Sequence, residues 1–229
     1  MSDNPIILVF VKSPVKGAVK SRLAAAVGEE AALDLYRNFI LDIVDTVIKS
    51  GFPFALCFYP PDAGGTVASW IGSQHRLIPQ DGADLGSRME NAFRRAFSEG
   101  FTRALLIGSD IPDLVPVVFQ EAFGSLERND AVIGRAADGG YYLIGFKADT
   151  FAPRIFHGIS WSTSTVFRET MTLLHEATLR VHQVHQWRDV DTVEDLRSLF
   201  ARNTGRDNGP RRTMAYLAHH KDRLFPEDD

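Results

Sequence analysis

Phe101-Thr102-Arg103-Ala104-Leu105-Leu106-Ile107-Gly108-Ser109-Asp110-Ile111-Pro112-Asp113 is an apolar strand that stops at a glycine and then presents a carboxylate. Ala104 to Ile107 shows no polar alternation, the pattern of a strand covered on both faces. In open α/β sheets ligands gather beyond the carboxyl ends of such strands, so Asp110 stands where a ligand is expected. Gly108 permits close backbone approach and Pro112 closes the turn. A hard carboxylate at that point suits Mg²⁺ or Mn²⁺ carrying a phosphorylated substrate.

Working outward, β-rich apolar runs at 5–11, 53–59, 130–134, 141–146 and 179–185 join 103–107 and alternate with segments of helical spacing. That alternation predicts a three-layer, Rossmann-like α/β fold, a mostly parallel sheet with helices on both faces. The clearest helix spans Glu29 to Lys49, where Ala32, Leu35, Tyr36, Phe39, Ile40, Ile43, Val44 and Val47 recur three and four apart and Gly51 ends it. A second starts at Asp84 as N-cap and runs to Gly100. A third spans Pro116 to Leu126, and Thr192 with Asp195 forms a capping box for a fourth through Phe200. Residues 1–203 are read as one domain. Residues 204–229 are read as a polar linker and a basic helical tail whose charge is most simply a solvated face.

The composition is that of a globular chain, and the formal net charge of −4 supplies no global field for nucleic acid. The apolar run Pro5 to Val11 is too short to span a bilayer and lacks the flanks of a signal peptide, so no membrane partner and a cytoplasmic location are expected. The single Cys57, among Phe54, Ala55, Leu56 and Phe58, reads as a packed thiol.

Directly after the first strand, Lys12-Ser13-Pro14-Val15-Lys16-Gly17-Ala18-Val19-Lys20-Ser21-Arg22-Leu23 places four cations before helical sequence. The two readings are a diphosphate cradle and a solvated basic loop; its position favours the cradle. The nucleotide- and phosphate-binding candidates are Lys12, Pro14, Gly17, Lys20 and Arg22, with Arg88 from the turn Gln80 to Arg88, a segment that capping by Asp84 also explains. It is not a Walker A loop, since Val19 replaces the glycine before Lys20, and no Gly-x-Gly-x-x-Gly supports dinucleotide redox chemistry. Nor is there a Gly-x-Ser-x-Gly elbow or a pair of cysteines.

Asp189 and Asp191 lie two apart, hence on one side of an extended segment. They offer metal ligands, or one caps the next helix while the other pairs with Arg188. In Arg135-Ala136-Ala137-Asp138-Gly139-Gly140-Tyr141-Tyr142, the glycines serve either a plain hairpin turn or a backbone that substrate can approach, with Asp138 deprotonating an acceptor hydroxyl. Gly139, Gly140, Tyr141 and Trp161 are the acceptor-side candidates, although an isolated tryptophan is more often core. His182 and His185, three apart in a strand, fall on opposite faces and read as structural.

Taken in order, Lys12 to Leu23, Gly82 to Met89, Ile107-Gly108-Ser109-Asp110-Ile111-Pro112, Asp138-Gly139-Gly140-Tyr141-Tyr142-Leu143-Ile144-Gly145, Trp161-Ser162-Thr163 and Asp189-Val190-Asp191-Thr192 resemble one family over residues 5–200. It is the bacterial glycosyltransferase-A-like family once described only as a domain of unknown function, similar to nucleotide-diphospho-sugar transferases. The resemblance implies a transferase that moves a sugar from a nucleotide-diphospho-sugar to a small acceptor with Mg²⁺ or Mn²⁺, in a chain that is compatible with a homo-oligomer. Asp110 then looks like the metal-binding aspartate after the central strand, and Asp191, or Asp189 beside it, like the second metal contact. Gly108-Ser109-Asp110 keeps only the last acid of the usual Asp-x-Asp, and Arg135 stands where relatives often have proline. Two alternatives stand beside this reading. Ala18-Val19-Lys20-Ser21-Arg22-Leu23 resembles the guanylyltransferase that activates phospholactate, which implies nucleotidyl transfer from a nucleoside triphosphate to a phosphorylated metabolite. The other is a nucleotide-binding protein without catalysis.

Overall fold

The computed structural model describes residues 3–225. The chain runs β1 (Pro5–Lys12), α1 (Ser21–Val27), α2 (Glu29–Ser50), β2 (Phe54–Tyr59), α3 (Gly64–Ile71), β3 (Leu77–Pro79), α4 (Leu85–Ser98), β4 (Arg103–Ile107), α5 (Val117–Ser125), β5 (Ala131–Ala136) and β6 (Tyr141–Lys147). A 3₁₀ turn at Pro153–Phe156 leads to α6 (Val166–Glu176), β7 (Val181–Trp187), α7 (Val193–Asn203), α8 (Arg211–His219) and α9 (Lys221–Leu224).

The strands form one sheet in the order β3-β2-β1-β4-β6-β5-β7. β1 pairs in parallel with β2 on one side and β4 on the other, so successive crossovers leave β1 in opposite directions. That is the topological switch point at which α/β sheets open a crevice beyond the strand ends. β6 is antiparallel to both β4 and β5, and β7 returns parallel to β5, so the sheet is mostly parallel with one reversed strand among the described residues.

Side chains of β1 alternate between two cores, as the period of two requires. Ile7, Val9 and Val11 pack with Tyr36, Ile40 and Ile43 of α2, Val67 of α3 and Phe119 of α5. Ile6, Leu8 and Phe10 face Met89 and Phe93 of α4, Phe156 of the 3₁₀ turn and Leu174 of α6. These are the helical layers on both faces that the alternation predicts. The capping boxes at Asp84 with Ser87 and at Thr192 with Asp195 are both formed. Cys57 is buried, which pushes its thiol up to about 12. His182 pairs with Glu121 of α5 at 2.9 Å.

Beyond Asn203 the chain packs on α2 and α7. Leu217 and Leu224 are buried in one cluster with Leu35, Phe39 and Leu199. The carboxylate of Asp42, inside α2, accepts the backbone N–H groups of Arg212 at 3.0 Å and Thr213 at 2.8 Å, so one helix caps another. The solvated face expected for this segment accounts for its arginines and histidines, and its apolar side adds to the core. Residues 226–229 of the tail lie outside the described residues.

Candidate functional site

A cleft of about 850 Å³ opens over the carboxyl ends of β1 and β4 and the turn between β5 and β6. It is lined by Lys12, Lys20, Arg22, Arg88, Asp110, Asp138, Gly140, Tyr141, Trp161 and Asp191 among the candidates named from sequence. Pro14, Gly17, Gly139 and Asp189 are not on its wall: Pro14 and Gly139 are buried, Asp189 is partly buried, and Gly17 makes an exposed turn at φ 78°. Lys16, the fourth cation of the loop, points away and pairs with Glu30 at 3.1 Å.

Lys20 organises the cationic side. Its backbone is left-handed at φ 51°, just before α1, and its side chain is only 4% exposed. The ammonium donates to the Val190 carbonyl at 2.7 Å and to Asp191 Oδ1 at 2.9 Å, and pairs with Asp110. Burial pushes its pKa down, but Asp110 and Asp191 more than reverse this, and the group is held above its ordinary value. The carbonyl of Asp110 also accepts from Val190 N–H at 2.9 Å. One buried cation therefore ties together the loops after β1, β4 and β7. Arg22 reaches the same carboxylate from outside, with Nη2 2.6 Å from Asp191 Oδ2. Arg88 sits at the other end, its guanidinium 4.3 Å from the centroid of the Tyr59 ring, an arrangement of cation over aromatic face.

The carboxylates are arranged differently from the expectation built on Asp110. Asp138, Asp189 and Asp191 each offer an oxygen, and these lie within 4.8 Å of one another; Asp110 is outside that group and is engaged by Lys20. Such an all-oxygen set is the donor chemistry of Mg²⁺ or Mn²⁺. Asp189 is pushed up to about 6, first by burial and then by its neighbours Asp138, Asp191 and Asp195. For Asp191 burial acts in the same direction, yet Lys20 and Arg22 outweigh it and its pKa falls. Asp191 pairs with neither Arg188 nor the helix end; Thr192 is the cap of α7.

The opposite wall comes from the β5–β6 turn and the segment before α6. Asp138 is exposed, with Oδ1 accepting from Gly140 N–H at 2.8 Å. Gly139, at φ 96°, is buried: a Cβ there would meet the Ser164 carbonyl oxygen at 2.2 Å. Its glycine thus serves the close passage of the chain at Ser164, and the turn is both a hairpin and a cleft wall. Tyr141 lies edge-on to Trp161, ring centroids 6.5 Å apart. Trp161 rests against the start of α4 because residue 86 is glycine; a Cβ at Gly86 would meet the tryptophan ring at 2.9 Å. Ser162, at φ 66°, with Thr163 and Ser164 adds a hydroxyl rim.

Tyr36, Tyr59, Gln80 and Ser109 also line the cleft and are not among the candidates named from sequence. Tyr36 belongs to the apolar stripe of α2, yet its hydroxyl accepts from Lys12 N–H at 2.8 Å and donates to Lys12 O at 3.2 Å. Gln80 is buried, donating to the Cys57 carbonyl at 2.7 Å, and Ser109 and Tyr59 complete the floor. Tyr59 and Gln80 sit at or just after strand ends, where position alone is the available signal.

The family model described as "Uncharacterized protein conserved in bacteria (DUF2064)" matches residues 43–163. A solved protein of Desulfovibrio desulfuricans G20, described as a "putative nucleotide-diphospho-sugar transferase", is 40% identical, with 97% of each chain covered and a TM-score of 0.92. That coverage is more than residues 1–203 alone allow, so the likeness extends into the segment that the sequence motifs leave out. The 4-diphosphocytidyl-2C-methyl-D-erythritol synthase of Anaerococcus prevotii DSM 20548 shares the fold at 10% identity and TM-score 0.58, covering 94% of this chain and 99% of its own. A CMP:2-keto-3-deoxy-manno-octonic acid synthetase complexed with CTP shares it at 11% identity and TM-score 0.53, covering 88% of this chain and 100% of its own. No match was found among curated proteins.

Proposed function

The chain belongs to this bacterial family, and from that membership we propose that it transfers a sugar from a nucleotide-diphospho-sugar to a small, uncharged hydroxyl acceptor. The observation that carries the reading is the polarity of one cleft. Lys12 at the end of β1, Arg22 in α1 and Arg88 in α4 line the cleft with an ammonium and two guanidinium groups, donors that suit a diphosphate. The β5–β6 turn and the segment before α6 contribute Asp138, Gly140, Tyr141, Trp161, Ser162 and Thr163 and no lysine or arginine among the described lining residues. A wall of hydroxyls, one carboxylate and aromatic rings suits a sugar-like alcohol better than a phosphorylated acceptor.

In this account Asp138, the exposed carboxylate of the trio, takes the proton of the acceptor hydroxyl. The acceptor oxygen forms the new bond to the anomeric carbon, the bond from that carbon to the diphosphate oxygen breaks, and the nucleoside diphosphate leaves. Arg22 and Lys12 stabilise the charge that develops on it. Asp189 and Asp191 would hold Mg²⁺ or Mn²⁺, leaving the exposed Asp138 beside them to act as the base. When bound, the ion supplies Lewis-acid stabilisation of the departing diphosphate. Lys20 holds Asp110 and Asp191 in register and acts through them.

The second reading, nucleotidyl transfer to a phosphorylated metabolite, is favoured by the stretch Ala18-Val19-Lys20-Ser21-Arg22-Leu23 and would require the acceptor phosphate to sit on the cation-poor wall. Incubation with Mn²⁺, a panel of nucleotide sugars and a mixture of alcohols and monosaccharides tests the first reading. Release of nucleoside diphosphate that depends on acceptor and is lost in Asp138→Asn is the expected outcome. No release from any donor, with pyrophosphate formed from a nucleoside triphosphate and a phosphorylated acceptor, would overturn it.

A further inference from the structure

Asp191 presents both carboxylate oxygens to cations, and the two partners are unlike. Lys20, on Oδ1, is buried and has two further acceptors in Asp110 and the Val190 carbonyl; removing it from this cage would leave an unpartnered ammonium inside the protein. Arg22, on Oδ2, is 67% exposed and has Asp191 as its one acceptor among the described residues. A single exposed contact of that kind is weak, and phosphate offers guanidinium a better, two-pronged partner. Asp191, whose Oδ2 Arg22 covers, is one of the trio Asp138, Asp189 and Asp191. Cation and guanidinium thus compete for one carboxylate, while a phosphate in the cleft competes with that carboxylate for the guanidinium.

We propose that Arg22 is a displaceable latch on Asp191 that couples entry of a divalent cation to entry of the phosphate-bearing substrate, each ligand raising the affinity for the other. The coupling rests on the reading of the cleft as a cation and diphosphate site. Its logic is reciprocal: a phosphate that draws Arg22 off Asp191 frees an oxygen for the cation, and a cation on Asp191 frees Arg22 for phosphate. Before substrate arrives the latch holds down the negative charge of the trio and keeps stray cations weakly bound. Lys20 is no part of the exchange, because it stays on Oδ1 throughout.

The test uses the whole chain and reads binding, not turnover. Free Mn²⁺ is followed by its electron paramagnetic resonance signal during titration with and without inorganic phosphate as the probe, and a protein-free titration corrects for Mn²⁺–phosphate pairing. Phosphate is expected to tighten Mn²⁺ binding to the wild-type chain by about 5-fold, the worth of one exposed ion pair. Arg22→Gln is expected to bind Mn²⁺ tighter than wild type without phosphate and to gain nothing further when phosphate is added. Lys16→Gln removes the same charge from the same loop without touching Asp191, and should behave as wild type. Equal Mn²⁺ affinity and equal phosphate response in wild type and Arg22→Gln would overturn the latch, as would the same change in Lys16→Gln. Absence of Mn²⁺ binding in every variant would overturn the cation reading itself and the latch with it.

Discussion

The ammonium of Lys20 and the carboxylate of Asp110 form a contact between the loop after β1 and the end of β4, ninety positions along the chain, and Lys20 has almost no exposure to solvent. Taking the cation away leaves Asp110 without a countercharge and Asp191 with only the exposed Arg22. Lys20→Met is expected to lower the free energy of unfolding by about 3 kcal/mol, near the lower bound for breaking a buried pair because Asp110 is half-exposed. Urea denaturation measures this. Lys20→Arg keeps the charge but not the compact geometry and should recover only part of the loss. An unchanged midpoint for Lys20→Met would show that the cage contributes nothing.

Asp189 carries a cost in the metal-free protein. Burial and three neighbouring acids raise its pKa to about 6, so the folded state favours the protonated form more than the unfolded chain does. A raised carboxyl gives a contribution that is fully present below the unfolded value near 3.8 and is lost as pH rises through about 6. Metal-free Asp189→Asn should therefore be more stable than wild type at pH 7.5, by about 1 kcal/mol once screening of this partly exposed group is allowed for, and equal to it below pH 4. Thermal melts in chelator across that range decide the matter; a variant less stable than wild type at neutral pH would contradict it.

Leu217 tests whether the segment after Asn203 belongs to the fold. It is fully buried against α2 and α7 in the cluster with Leu35, Phe39 and Leu199. Leu217→Ala is expected to cost about 3 kcal/mol through lost burial and the cavity left behind, in a single cooperative transition with the rest of the chain. A separate low-stability transition, or no change in the midpoint, would show an appendage instead.

Much of this architecture is legible in the sequence because local signals agree with tertiary ones. β4 reads as buried on both faces and is; α2 has an unbroken stripe and Gly51 where the helix ends; Asp84 announces its helix as an N-cap and Thr192 with a capping box, and both caps form. What is missed has weak local coding. α3 opens on Gly64-Gly65 and buries only Val67 and Ile71. β3 is three residues at a sheet edge, and α6 begins at Val166 with no side-chain cap from Thr165. In the site, Lys20, Arg22, Asp110, Asp138, Asp189 and Asp191 are each recognisable by position after a strand or turn. Their pairing is not, since Lys20 meets an aspartate 171 positions away and which carboxylates share a cation depends on how three loops close. Gly139 shows the same gap: sequence marks a backbone that something must approach, and only the fold reveals that Ser164 is what approaches it.

Transfer itself is tested most directly by giving the protein a choice. With Mn²⁺ present, nucleotide sugars and nucleoside triphosphates are supplied together with both plain and phosphorylated sugar acceptors, and phosphorus NMR follows every phosphate at once. The account predicts resonances of a nucleoside diphosphate growing in step with a glycosylated alcohol, while the triphosphate resonances stay constant. Growth of pyrophosphate at the expense of the triphosphate, with a new nucleoside-diphospho-linked product, would contradict it.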